Sequence, residues 1–217
     1  MTTYITMIDR ISSEVGGVTP ASSTTSPTLA EIKAAILSAV DHYTRMPFYF
    51  LESRASTFNT VAAQEYYGSA DLAAIPDIAH IDELTITVNS IRTQMDRQSF
   101  AYIDAQNAVS TIYGRPTDYC YYAKQIRLSP IPDAVYSIRI AGDIRLAALS
   151  ADADTNAWMT DGERLIRFRA SYDLWANVLA DETRASVARR NEMDALSWLM
   201  AEGTQRGTSG KIKATRF

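Results

Sequence analysis

The sequence predicts an α+β fold: a helical bundle formed by N- and C-terminal helices, with an inserted antiparallel β-strand domain and an extended C-terminal tail. Three observations predict it. Apolar residues recur at helical spacing up to about residue 47 and again over 160–203, the apolar period falls to two between 48 and 159, and from Thr204 there is no period at all. The expected divisions are therefore 1–47 for the first helices, 48–159 for the inserted β-rich domain, 160–203 for a helix pair completing the bundle, and 204–217 for a basic tail.

Tyr4, Ile8, Ile11 and Val15 lie on one face of a first helix that Gly16-Gly17 stops. A small-residue linker follows, GGVTPASSTTSP. Thr28 and Glu31 have the spacing of a capping box, in which hydroxyl and carboxylate each satisfy an orphan amide of the first turn. They open a second helix with Leu29, Ile32, Ile36, Val40 and Tyr43 in its stripe, and Pro47 lies beyond its end.

The middle of the chain alternates. Leu84, Ile86 and Val88 interleave with threonines and Asn89; Ile126 and Leu128 with Arg127 and Ser129; Tyr136, Ile138 and Ile140 with Ser137 and Arg139. Such alternation marks half-buried antiparallel strands. Pro130-Ile-Pro-Asp133 is expected to turn the chain between the last two, and 69–74 and 99–109 to form short helical connections.

The last quarter organises the rest. Leu165, Phe168, Tyr172, Trp175 and Leu179 line one face of a helix whose start is set near Asp161 by a Thr160/Glu163 capping box. Asp181-Glu182-Thr183 breaks the period, and Ala185, Ala188, Ala195, Leu196, Leu199 and Met200, with Trp198 close by, give an antiparallel partner. The tail after Gly203 carries Arg206, Lys211, Lys213 and Arg216, four of the 21 basic residues and none of the 25 acidic ones. A tail opposite in sign to its own body seeks a partner.

Composition narrows the function. A net charge of -4 argues against general affinity for nucleic acid. The single Cys120 excludes an internal disulfide and reads as a buried strand residue in a reducing compartment. The start Met1-Thr-Thr-Tyr4 lacks the basic region of a secretory signal, and no apolar run approaches the roughly 20 residues of a membrane span. His42 and His80 have no metal spacing, no Gly-rich phosphate loop is present, and no elbow motif frames a serine, so neither an enzyme nor a cofactor is expected. One loop approaches metal chemistry: Asp152, Asp154, Asn156 and Glu163 occupy positions one, three, five and twelve of a calcium-loop template. Ala157 stands where that template needs glycine, so a structured loop leading into a capped helix is the expected reading. The twelve tyrosines read as half-buried sheet residues rather than a stacking platform, since Tyr119, Tyr121 and Tyr122 have no interleaved basic residues.

Several stretches taken in order resemble the head-to-tail adaptor (connector) proteins of tailed bacteriophages, particularly the short-tailed type. They are Gly114-Arg-Pro-Thr-Asp-Tyr119, Ile126-Arg-Leu-Ser-Pro-Ile-Pro-Asp-Ala-Val-Tyr136, Leu149-Ser-Ala-Asp-Ala-Asp-Thr-Asn-Ala-Trp158, Glu192-Met-Asp-Ala-Leu196 and Arg206-Gly-Thr-Ser-Gly-Lys-Ile-Lys213. The resemblance implies a non-enzymatic virion protein of the neck, assembled in the host cytoplasm. It implies self-association into a ring, usually of twelve copies, docked on the portal protein, with tail or nozzle proteins on the other side. Double-stranded DNA then passes transiently through a channel, and an acidic body suits one because like charge repels phosphate. No membrane partner is implied. The expected portal-binding residues are Arg206, Lys211, Ile212, Lys213, Arg216 and Phe217, and the expected subunit interface uses Phe168, Tyr172, Trp175 and Trp198. Two other classes stay open: another neck or tail component, and a hydrolase or nuclease with a carboxylate-bound metal at the 152–163 loop.

Overall fold

Thr3 and Thr28 each open a helix. In the computed structural model, which describes residues 2–16, 27–109 and 111–207, α1 (Tyr4–Glu14) begins where the Thr6 amide donates to Thr3 Oγ1. It buries Tyr4, Met7, Ile8 and Ile11, the expected face. α2 (Leu29–Tyr43) has the full capping box: the Glu31 amide donates to Thr28 Oγ1 at 3.3 Å, and the Thr28 amide donates to the Glu31 carboxylate at 2.7 Å. Its buried stripe is Ile32, Ala35, Ile36, Ala39 and Tyr43, while Leu29 is exposed. The stripe is rotated toward the alanines because small residues let a neighbouring helix approach closely.

The chain divides into two compact units, Met1–Phe50 with Leu146–Phe217, and Leu51–Arg145. The first is helical and the second carries the strands. The segment 146–159, expected with the strands, belongs to the helical unit. Trp158 stands edge-on to Phe48 at 5.5 Å and to Phe50 at 5.0 Å, and this aromatic cluster draws both flanks of the insert into the helical core.

Within that unit the predicted Thr160/Glu163 capping box is absent. Thr160 is the last residue of a short helix α4 (Ala157–Thr160), which Asn156 caps through the Trp158 amide at 3.0 Å. Being helical itself, Thr160 cannot take the extended backbone of an N-cap, and its hydroxyl bonds the Asp161 carboxylate at 2.9 Å. α5 (Glu163–Asp173) starts at Gly162 without a side-chain cap and runs into a single π turn, Leu174–Val178. Asp181 then accepts the Arg184 amide at 3.0 Å and opens α6 (Glu182–Gly207), which packs along α5. The expected helix end at Gly203 is also corrected. The helix continues through 204–207, where the Thr204 hydroxyl donates to the Met200 carbonyl at 2.9 Å and Arg206 pairs with Glu202 at 2.5 Å. A glycine inside a helix costs about 1 kcal/mol, which these bonds and the next turn offset. Residues 208–217 of the expected tail, and 17–26 of the linker, lie outside the described residues.

The strand unit holds two four-stranded sheets. One has β1 (Glu52–Asn59), β10 (Ser137–Ile144), β3 (Ile78–Val88) and β4 (Ile91–Gln94) in that order, all antiparallel. The other has β2 (Tyr66–Gly68), β8 (Gln125–Ser129), β7 (Asp118–Tyr122) and β5 (Asp96–Arg97), with β5 parallel to β7. The core joins them: Ile138, Ile140, Leu84 and Ile86 from the first pack with Tyr67, Tyr119, Ile126 and Leu128 from the second. Residues 130–133 do not make a hairpin turn. β8 and β10 belong to different sheets, and β9 (Ile131–Pro132) pairs in parallel with β6 (Tyr113–Gly114). β8 is buried on both faces rather than one. Arg127, on the face away from the core, donates to Glu65 at 2.5 Å and to Asp104 of α3 (Phe100–Val109) at 3.1 Å. Of the two expected helical connections, 99–109 is α3 and 69–74 is a set of turns. Gly142 marks a register shift between β10 and β3, where an added Cβ would lie 2.2 Å from the His80 carbonyl.

Candidate assembly surface

Arg164, Phe168 and Ser171 of α5 and Trp175 of the π turn recur at spacings of four, three and four, and Arg184, Val187, Asn191, Asp194 and Trp198 recur along α6 at alternating spacings of three and four. Because these helices pack side by side, the two rows border one edge of the pair. Between them lies a groove of about 510 Å³ that includes Glu14, Phe168, Trp175, Arg184, Val187 and Asn191. Further toward the end of α6 is a smaller pit of about 240 Å³ lined by Asp161, Arg164, Asp194, Ala195, Trp198 and Leu199. Trp198 is 60% exposed and Val187 45% exposed, while Trp175 is nearly covered, with the Arg184 guanidinium 4.6 Å above its ring. Glu14, which lines the groove, belongs to an ion-pair cluster beside it. Arg167 pairs with Glu14 and, at 3.1 Å, with Glu163, which also takes Arg10 at 2.9 Å; Ser171 donates to Glu14 at 3.2 Å.

Three of the four residues expected at a subunit interface thus share this edge: Phe168, Trp175 and Trp198. Tyr172 does not. Its ring faces Arg169 at 5.3 Å and Arg189 at 5.6 Å, beside a buried polar network that the periodicity did not reveal. At the centre of that network is Glu192, fully buried. It accepts hydrogen bonds from the Tyr43 hydroxyl and, at 2.7 Å, from Arg189, and it lies 3.6 Å from Arg169, which also pairs with Asp173 at 3.4 Å. Burial, the hydrogen bond to Glu192 and its charge push the Tyr43 phenol far above its ordinary range. Burial also pushes the Asp173 carboxyl up, against the pull of Arg169. A buried charge must be paired, and here three helices supply the partners, which fixes α2, α5 and α6 relative to one another. A signal for Glu192 was present in the sequence: Ala185, Ala188, Glu192, Ala195 and Leu199 form one buried stripe, and Glu192 is its only charged member.

Of the expected portal-binding residues, only Arg206 is described. It is a helix residue, paired with Glu202 and with its guanidinium 3.9 Å from the centre of the Tyr49 ring, so it belongs to the body rather than to a free tail. Lys211, Ile212, Lys213, Arg216 and Phe217 lie outside the described residues.

The four oxygen side chains of the calcium-like loop do not converge. Asp154 accepts from the amides of Ser150 and Ala151, each at 2.7 Å, and from the Ser150 hydroxyl, and the amide bonds hold its carboxyl below the usual carboxylate range. Asp152 pairs with Lys33 at 3.3 Å, Asn156 caps α4, and Glu163 pairs with two arginines. Each oxygen has a structural task. Among the described residues no group of three or more His, Cys, Asp or Glu is placed to hold a metal ion. Cys120 is buried in β7, and burial pushes its thiol up, away from the thiolate form that a nucleophile needs. Among the described residues no helix is long and apolar enough to cross a membrane. Compared with known proteins, the chain matches no family model and no curated protein.

Proposed function

We propose that the chain is a structural virion protein, a head-to-tail adaptor whose copies associate side by side into a ring and dock on a portal protein. Its expected neighbours are portal above, tail or nozzle proteins below, and DNA in transit through an acidic channel. The observation that carries this reading is the α5–α6 edge. A 26-residue helix buries one alanine-rich stripe inside its own unit yet leaves Val187 and Trp198 exposed along a second row beside an open groove. A tryptophan 60% exposed on a rigid helix is the type of side chain that dominates interface energetics. The groove is mixed, with Glu14, Arg184 and Asn191 beside the apolar residues. That composition suits contacts that form late, between copies that are folded beforehand. A heterologous contact of this kind closes into a ring when its rotation permits.

The metal-dependent hydrolase or nuclease reading draws no support from the 152–163 loop, whose oxygens are committed to the chain's own amides and cations. The test is the mass of the purified chain alone and mixed with the portal of the same virus. The adaptor reading expects a monomer or small oligomer alone and one large symmetric assembly in the mixture. Absence of any assembly with portal overturns it.

A further inference from the structure

α5 borders a second groove, on its other side from the α5–α6 edge and within the same helical unit. Glu31, Ala34 and Ser38 of α2 share with Arg169 and Asp173 of α5 and Asn177 of the π turn a recess of about 480 Å³. At 3.6 residues per turn, Arg169 and Asp173 lie about 150° around the helix axis from Phe168, Ser171 and Trp175. The helical unit therefore carries two open surfaces nearly back to back, one on each side of α5. A ring built by a heterologous contact needs that arrangement, because each copy meets its two neighbours through different surfaces.

Shape and charge match the two surfaces to each other. Ala34 and Ser38 are short and exposed, and with Val178, 39% exposed, they give the recess a shallow floor among the described residues. Small side chains on one helix admit the ridge of another. From Glu31 to Ser38 α2 advances seven residues, about 10 Å. The α6 ridge that runs from Val187 through Asn191 to Asp194 advances by the same number. The recess is lined by two carboxylates, Glu31 and Asp173, against one guanidinium, Arg169. Arg190, exposed beside the ridge, has no ion pair among the described residues. We infer that the Val187–Asp194 ridge of one copy seats in the α2–π-turn groove of the next, with Val187 on the floor at Ala34 and Val178 and Arg190 toward Glu31 and Asp173. The contact rests on the ring reading, for which it supplies the receiving surface.

Cross-linking with a short bis-maleimide tests the pairing on full-length Ser38→Cys and Val187→Cys variants, since both positions are exposed and the chain's own Cys120 is buried. Each variant is treated alone, and the two are treated as a mixture, at high protein concentration and without portal. A covalent dimer is expected in the mixture and in neither variant alone. Adding Arg190→Glu to the Val187→Cys chain is expected to cut the yield severalfold at low salt and less at high salt. Dimer from either variant alone overturns the inference, since that surface would then meet its own kind across a two-fold axis. No product in the mixture overturns it as well; if one large assembly still forms with portal, the ring reading stands and its contact lies elsewhere. Product in the mixture without any assembly on portal keeps the pairing and removes the portal docking.

Discussion

Replacing Glu192 by alanine strands a tyrosine hydroxyl and two guanidinium groups around a void. Removing one partner of a buried ionic cluster costs about 3–5 kcal/mol, and urea denaturation of Glu192→Ala is expected to read a loss in that range. Glu192→Gln keeps two acceptor lone pairs and is expected to lose clearly less; equal losses would mean that volume rather than charge matters at this position. Asp154 acts on stability through pH. Its folded-state carboxyl titrates below its ordinary value of 3.8 because two amides bond the charged form. The stabilisation is therefore fully present above that value and is lost as pH falls through the lowered folded value. Asp154→Ala is expected to melt earlier than the parent at pH 7, and the gap should close as the buffer is taken below pH 3.8. A gap of constant size across that range would assign the effect to packing instead. EDTA should leave the melting temperature of both proteins unchanged, because the carboxylates of this loop hold amides and cations of the chain itself.

At the level of single elements, the two capping boxes that look alike in sequence differ in consequence. Thr28 and Glu31 close theirs, and Thr28→Ala is expected to cost about 1 kcal/mol of unfolding free energy. Thr160 ends one helix instead of starting the next, so Thr160→Ala is expected to stay within about 0.5 kcal/mol. Both values come from the same denaturation series, and similar costs for the two would contradict the geometry. The β7–β8 hairpin carries strain of a different kind. Ala123 and Lys124 both sit at positive φ, 50° and 63°, in a two-residue turn that favours Asn-Gly. Left-handed backbone costs ordinary residues about 1 kcal/mol each, so Ala123→Asn with Lys124→Gly is expected to raise the melting temperature without altering the sheet. A drop would show that the side chains at this turn have a contact that offsets the strain.

For the molecule as a whole, an insert of Leu51–Arg145 in a helical unit built from both ends of the chain separates two tasks. The helical unit holds the exposed edge, and the strand unit has a core of its own. Val187→Asp combined with Trp198→Ala should leave the monomer folded, since both side chains are exposed. It is expected to abolish the large assembly with portal, observed as single-particle mass. An intact assembly from this double variant would move the interface away from the α5–α6 edge.

Local spacing alone determined α1, α2 with its cap and the strands carrying Leu84, Ile126 and Ile138, because each depends on contacts within a few residues and on a period that burial imposes. Spacing put Phe168, Tyr172 and Trp175 on one stripe. Only the tertiary structure decided which strands share a sheet, that Phe48, Phe50 and Trp158 pull 146–159 into the helical unit, that Tyr172 turns toward Arg169 and Arg189, and that Glu192 is the buried centre of the bundle. Those outcomes rest on pairs of residues up to about 150 positions apart, such as Tyr43 with Glu192. Nothing in the neighbourhood of either residue records the partner that it meets in space.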